Sequence, residues 1–215
     1  MHYDFVDIGT SNWGTSCDYV TKIYKPKILL VEPVKNYLDQ LPAGDNIIKC
    51  CAAVGNQDRD TKVYYIPESV IKEHVSEWGF LVGCNSVDDY HPSQRDALVT
   101  RKQLSLDLVQ IDPVEMITFE ELCRRHCIES IGRLKIDTEG HEVYILPSVL
   151  KMVQHPFRMP IENIEFEYAF SNPAQQALLN SVADQFELLG YKRYWVSNID
   201  GTPGSNDMGL KKIHK

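Results

Sequence analysis

Tyr3-Asp4-Phe5-Val6-Asp7-Ile8, running into Gly9-Thr10-Ser11-Asn12-Trp13-Gly14, decides how the rest of the chain is read. The first half is a short β-type run, and the second is polar and bounded by glycines, so a strand ends in a tight turn. Beyond the turn Cys17, Val20, Ile23 and Tyr24 recur at helical spacing until Pro26 stops the helix. Lys27-Ile28-Leu29-Leu30-Val31-Glu32 then reads as a parallel strand buried on both faces. Glu32-Pro33 closes that strand. Val34, Tyr37, Leu38 and Leu41 form the stripe of a second helix, Pro42-Ala43-Gly44 ends it, and Ile47 to Val54 supplies a third strand. Alternation of this kind specifies an open α/β sheet.

Outward from this unit, the rhythm changes between about Asp60 and Met116 to short β-prone pieces such as Lys62 to Ile66 and Phe80 to Val82. Such an insertion lies over the strand ends, either as a lid or hairpin that shapes a substrate site or as plain connecting loops. Alternation resumes at Thr118-Phe119-Glu120-Glu121, a capping-box pattern. Arg133 to Asp137 is a fourth strand, followed by a helix with Val143, Leu146, Val149, Leu150 and Val153 inward and a break or restart expected at Pro147. Asn163 to Glu167 is a fifth strand. Pro173 opens a helix to Leu189 that Gly190 caps, Tyr191 to Val196 is a sixth strand, and Met208 to Ile213 a last, antiparallel edge strand.

Length and composition agree with one domain spanning residues 1–215. The chain has 215 residues, 43% hydrophobic and 24% charged, which suits a globular α/β unit and excludes collagen-like and disordered classes. With 22 Lys and Arg against 30 Asp and Glu, the formal charge is −8, so no overall basic field exists to attract nucleic acid or an anionic membrane. No apolar run is long enough for a membrane span, and Met1-His2-Tyr3-Asp4 lacks a secretory signature, so a cytoplasmic address is expected. The six cysteines lack paired CxxC spacing and read as reduced core residues.

In an open α/β sheet, residues just beyond the carboxyl ends of the strands converge on a ligand. After strand one stand Asp7, Gly9 and Gly14, where glycines let the backbone pass close to a ligand. After strand two stands Glu32, about twenty residues on, where a carboxylate can accept both hydroxyls of a ribose. A dinucleotide requires G-x-G-x-x-G, but this loop places Trp13 where pyrophosphate would lie. The acidic Asp7 suits a ligand carrying an ammonium and a sulfonium, which favours S-adenosylmethionine over NAD. Ala52-Ala53-Val54 either flank an adenine through small side chains or simply pack.

Phe5-Val6-Asp7-Ile8-Gly9, Asn12-Trp13-Gly14, Val31-Glu32-Pro33 and, above all, Leu134-Lys135-Ile136-Asp137-Thr138-Glu139-Gly140-His141-Glu142 resemble the FkbM-type S-adenosylmethionine-dependent methyltransferases over roughly Tyr3 to Phe170. The resemblance implies a class I methyltransferase, Rossmann-like α/β fold: a three-layer sandwich around a mostly parallel seven-stranded sheet with the last strand antiparallel. It also implies O-methylation of a saccharide or another small-molecule hydroxyl. Cofactor contacts are then expected from Asp7, Gly9, Thr10, Ser11, Asn12, Gly14, Glu32, Pro33, Ala53, Ser86 and Asp137. The family loop is commonly Asp-x-Gly-Ala-Asn-x-Gly, one residue shorter than Asp7 to Gly14. The chain opens almost at strand one, so acceptor selection is expected from the 60–116 insertion, the C-terminal tail or a partner.

Methyl transfer to oxygen is an in-line displacement that requires a group to take the hydroxyl's proton. Asp137 and Glu139 are the candidate catalytic carboxylates, with Glu139 and Glu142 alternatively serving as charge complements to a helix N-terminus. His141 is a weaker candidate. A divalent metal held by Asp137, Glu139, His141 and Glu167 is disfavoured, because Gly140 and the incoming helix break the extended geometry that three alternating side chains require. Two other readings remain: a non-catalytic binding module on the same fold, and an NAD-dependent oxidoreductase.

Overall fold

The computed structural model describes residues 1–11, 25–154, 156, 158–168, 172–197 and 203–213. The helix expected over Cys17 to Tyr24 lies outside them, as do Asn12, Trp13 and Gly14. The main sheet contains β1 (His2–Ile8), β2 (Ile28–Val31), β3 (Ile47–Cys50), β8 (Ser130–Ile136), β9 (Ile161–Glu167), β10 (Tyr191–Ser197) and β11 (Pro203–Lys212). Their spatial order is β10-β11-β9-β8-β1-β2-β3. All pairs are parallel except those of β11, which runs antiparallel to both β9 and β10. This is the seven-stranded α/β sheet that the resemblance implies. The last strand is not an edge, however: β11 lies between β9 and β10, and its Gly209 lets the Tyr194 ring lie against the backbone.

Strand alternation explains the layers. In β2, Leu29 and Val31 join Val6, Ile8, Leu134 and Ile136 in one core, whereas Ile28 and Leu30 face the other way with Phe5. The first core is covered by α4 (Phe119–Arg125), α5 (Glu142–Val153) and α6 (Pro173–Leu188), and the second by α1 (Lys35–Gln40) through Leu38 and the following Leu41. Thr118 caps α4 by accepting from the Glu121 amide at 3.1 Å, but the capping box is only half formed. Glu121 turns instead to Arg124 and Arg125, which hold its carboxyl down at about 2. Pro147 does not break α5; Val143, Ile145, Leu146, Val149 and Leu150 are all buried, and their packing outweighs the one backbone bond that proline removes.

The insertion is a second sheet. β4 (Ala53–Gly55), β5 (Arg59–Tyr65), β6 (Ser86–Val87) and β7 (Gln110–Thr118) are ordered β4-β7-β5-β6. The expected strand from Ile47 to Val54 is therefore two strands in two sheets, with Cys51 and Ala52 carrying the chain across. Phe80 to Val82 is not β but the end of a 3-10 segment, Ser76–Val82. This sheet, α2 (Glu68–His74) and α3 (Pro92–Arg95) enclose their own core around Val63, Tyr65, Ile66, Ile71, Leu98 and Met116. Cys84 and Cys123 are buried as expected, but Cys51 and Cys127 are exposed. Among the described residues, no helix is long and apolar enough to cross a membrane.

Candidate functional site

The register places Ile8 between Val31 and Ile136, so the residues following β1, β2 and β8 meet at one rim. A cleft with about 470 Å³ of atom-free space opens there, between the main sheet and the insertion. Its floor is Gly9, whose φ is +84° and whose missing side chain lets the loop pass against the Asp137 carbonyl. Ser11 and Pro33 line the adjoining wall, Ala53 and Ser86 come from the insertion side, and Asp137 and Glu139 close the far end.

Glu32 is the best-defined acid of the cleft. Only 2% of it is exposed, so it is a buried carboxylate that braces the loop. Its Oε2 accepts from the Ser11 amide at 2.7 Å and its Oε1 from the Val34 amide at 2.9 Å. Burial nonetheless outweighs these donors and pushes the carboxyl up to about 7. Ser11 also donates through its hydroxyl to the Val82 carbonyl at 3.2 Å, tying the glycine bend to the insertion.

Two expected contacts are not part of the cleft wall. Asp7 alternates away from Val6 and Ile8, is fully buried, and shares its surroundings with Lys135, Asp137 and Arg133. Burial raises its carboxyl, and its Oδ1 has no hydrogen-bond partner among the described residues. Thr10 is also buried, with its hydroxyl directed to the Ser11 carbonyl. Lys135 donates to Asp137 Oδ2 at 2.9 Å; burial alone would pull its ammonium down, but Asp7 and Asp137 outweigh burial and keep it charged.

The signature run folds into a braced turn. Glu139 and Gly140 both have positive φ, +54° and +107°. Glu142, expected to complement a helix terminus, is fully buried and holds this turn instead. It accepts from the Thr138 amide, from the Thr138 hydroxyl at 2.8 Å and from the Gly140 amide at 2.9 Å. Glu142→Gln turns one acceptor oxygen into a donor that faces another donor. The expected result is a loss of about 1–3 kcal/mol in urea unfolding. A midpoint equal to that of the parent would show that the turn does not depend on this brace.

His141 lines the cleft with its ring edge-on to Tyr144, and burial pulls its imidazole below the usual range. At the end of β9, Glu167 is pushed up to about 8 by burial and by Glu139, Glu142 and Asp137. The far end of the cleft is therefore an acidic rim. The nitrogen and sulfur donors that approach Glu139 are not those of the alternating set but Cys84 and His91 of the insertion, the ligating atoms of all three lying within 4.8 Å of one another. His91 was missed in the sequence, although His91-Pro92-Ser93-Gln94 carried a readable signal: a cap, a proline at the first helical position and Gln at the third. Asn85 was also missed; it lines the cleft, and its buried Oδ1 has no partner among the described residues.

A mostly parallel sheet with a glycine bend after its first strand, an acid closing the second and an antiparallel last strand belongs to the Rossmann-like class of α/β folds. Within that class, the sequence matches the Methyltransferase FkbM domain over residues 7–193, and the chain belongs to this family of methyltransferases. A crystal structure of a methyltransferase FkbM from Methylobacillus flagellatus KT has a similar fold, with a TM-score of 0.55 over 98% of this chain at 10% identity. The chain spans 44% of the length of that protein. No curated protein matches the sequence.

Proposed function

We propose that the protein transfers a methyl group from S-adenosylmethionine to a hydroxyl oxygen of a small, uncharged acceptor, a saccharide being the foremost class. The observation that carries this reading is Glu32, held by two backbone amides in the cleft wall beside the Gly9 bend, where it can accept from the two hydroxyls of a ribose. The residues present fit such a cofactor. Ala52 and Ala53 leave room for a flat base, and the unpartnered Asn85 oxygen offers an acceptor to a donor group. When bound, S-adenosylmethionine supplies an electrophilic methyl on a sulfonium.

The chain's own task is the acceptor's proton. Lys135 occupies one oxygen of Asp137, which suits Asp137 to orienting ligands and leaves Glu139 to take the proton. The Asp137 and Glu139 carboxylates at this end of the cleft disfavour phosphate or carboxylate acceptors, which supports an uncharged hydroxyl compound. The five free cysteines among the described residues suit a reducing, cytoplasmic setting, and the net charge of −8 argues against nucleic acid or an anionic membrane as partner.

The test is a thermal-unfolding panel with S-adenosylmethionine, S-adenosylhomocysteine, NAD and ATP, followed by turnover assays on a hydroxyl-compound library. At a hundred times its dissociation constant, a ligand of the folded state stabilises it by about 2.7 kcal/mol. Stabilisation by the two sulfur nucleosides alone is expected. A shift with NAD and none with S-adenosylhomocysteine would overturn the reading, whereas cofactor binding without turnover on any hydroxyl would leave a non-catalytic binding module.

A further inference from the structure

We propose that His91, supplied by the insertion, is a positioning residue that orients the Glu139 carboxylate as the cleft's proton acceptor through a hydrogen bond donated by its Nε2. This rests on the reading of the cleft as an O-methyltransferase site. His91 caps α3: its Nδ1 accepts from the Ser93 amide at 3.2 Å. A backbone N–H can only donate, so Nδ1 carries no proton and the neutral ring holds its proton on Nε2. Nε2 lies 3.3 Å from Glu139 Oε2. The tautomer is thus set by the cap on one side and leaves an N–H within reach of Glu139 on the other, a contact that can tighten when substrate is bound.

The rest of the insertion fixes the ring in place. The His91 amide donates to Gln94 Oε1 at 3.1 Å, and Gln94 is completely buried. Its Nε2 donates to the Tyr64 carbonyl of β5 at 3.0 Å and to the Cys84 carbonyl at 2.8 Å. One side-chain amide therefore binds β5, the loop before β6 and the helix cap into a frame that aims the imidazole across the cleft. Glu139 meets it from a backbone conformation rare for a non-glycine residue, φ +54°, held by Glu142. Both ends of the His91–Glu139 contact are over-determined by their surroundings.

The same tautomer argues against a metal at Cys84, His91 and Glu139. A cation on Nε2 would displace its proton and leave either an imidazolate or an Nδ1–H pointing at the Ser93 N–H. With Oε2 the oxygen nearest His91, Oε1 is the oxygen left for chemistry. In the step, the acceptor's O–H bond breaks and its proton goes to Oε1. The acceptor oxygen's electron pair forms the new bond to methyl, and the methyl–sulfur bond breaks with its pair left on sulfur.

His91→Asn separates the two jobs of this side chain. Asn is among the best N-caps, so the Ser93 contact persists, but its side chain is too short to reach Glu139. The expected result is a kcat at least about tenfold lower with KM for S-adenosylmethionine and thermal stability unchanged, a larger loss in Glu139→Gln, and no further loss in the double variant. Nitrogen-15 NMR of the imidazoles should show His91 as the Nε2–H tautomer in the free protein, with its resonance moved by Glu139→Gln. An unchanged kcat in His91→Asn, losses that multiply in the double variant, or an Nδ1–H tautomer would overturn the proposal. So would one zinc per purified chain that His91→Asn releases. Absence of turnover with every acceptor, alongside the expected tautomer, would instead sink the O-methyltransferase reading.

Discussion

Glu32→Ala is expected to remove stabilisation by S-adenosylhomocysteine altogether and to destabilise the free protein more at pH 5 than at pH 8. The ligand effect follows from two hydroxyl hydrogen bonds to a carboxylate, each worth about 1.5–3 kcal/mol, so affinity should fall by about 10²-fold to 10⁴-fold. The pH effect follows from burial. A carboxyl whose folded pKa is about 7 against a usual 4.5 binds its proton more tightly in the folded state. Its contribution to stability is complete below about pH 4.5 and is lost as pH rises through about 7, a span of roughly 3 kcal/mol for a shift of this size. Removing the side chain leaves the Ser11 and Val34 amides without acceptors at every pH, but above pH 7 it also removes a buried charge, which offsets part of that cost.

With S-adenosylmethionine seated as proposed, the same carboxyl is expected to couple its binding to protons. Ribose hydroxyls donate to the ionised form, so binding should expel a proton when the pH is below about 7, and affinity should weaken as the solution is acidified. Calorimetry in buffers of different ionisation enthalpy reads the released proton directly. A pH-independent affinity, or full affinity in Glu32→Gln, would show that the nucleoside does not contact this acid.

What the sequence made legible follows the locality of each signal. β2 declared itself because burial on both faces leaves the uninterrupted apolar run Ile28 to Val31, and Thr118 declared its helix because a cap is read within four residues. The second sheet was illegible for the opposite reason. Ala53–Gly55 looks like a continuation of β3 and is claimed by β7 only through pairing with Met116, Ile117 and Thr118 far along the chain. Pro113 lies within β7, where a proline ordinarily disfavours a strand interior. Yet β7 pairs with β5 along its length and with β4 only at Met116 to Thr118, so at Pro113 one side of the strand has no ladder to break. In the site, the residues after β1, β2 and β8 were readable because parallel strands bring their ends together. The direction of Asp7 depended on which face the alternation gave it, and the approach of His91 to Glu139 depended on the insertion's own fold.

Three glycine substitutions separate backbone conformation from close approach, and Gly9→Ala should be by far the most damaging. Gly79 has ordinary φ and nothing within 4 Å of the place an alanine methyl would take, so Gly79→Ala should stay within about 0.5 kcal/mol of the parent. Gly140 has φ +107° but open space around it, so Gly140→Ala should show only the conformational cost, about 1–2 kcal/mol. Gly9 has both problems: φ is +84°, and an added Cβ would overlap the Asp137 carbonyl oxygen and stand 2.7 Å from its carbon. Those atoms are backbone at the end of β8 and cannot rotate aside. Relief requires β1 and β8 to part, which breaks the bond of 2.9 Å from the Asp137 amide to the Ile8 carbonyl. The expected loss exceeds about 4 kcal/mol in urea unfolding, and any folded remainder should not respond to S-adenosylhomocysteine, because the displaced strand ends carry the cleft. Equal midpoints for Gly9→Ala and Gly140→Ala would show that conformation, and not the contact between β1 and β8, is what requires glycine at this position.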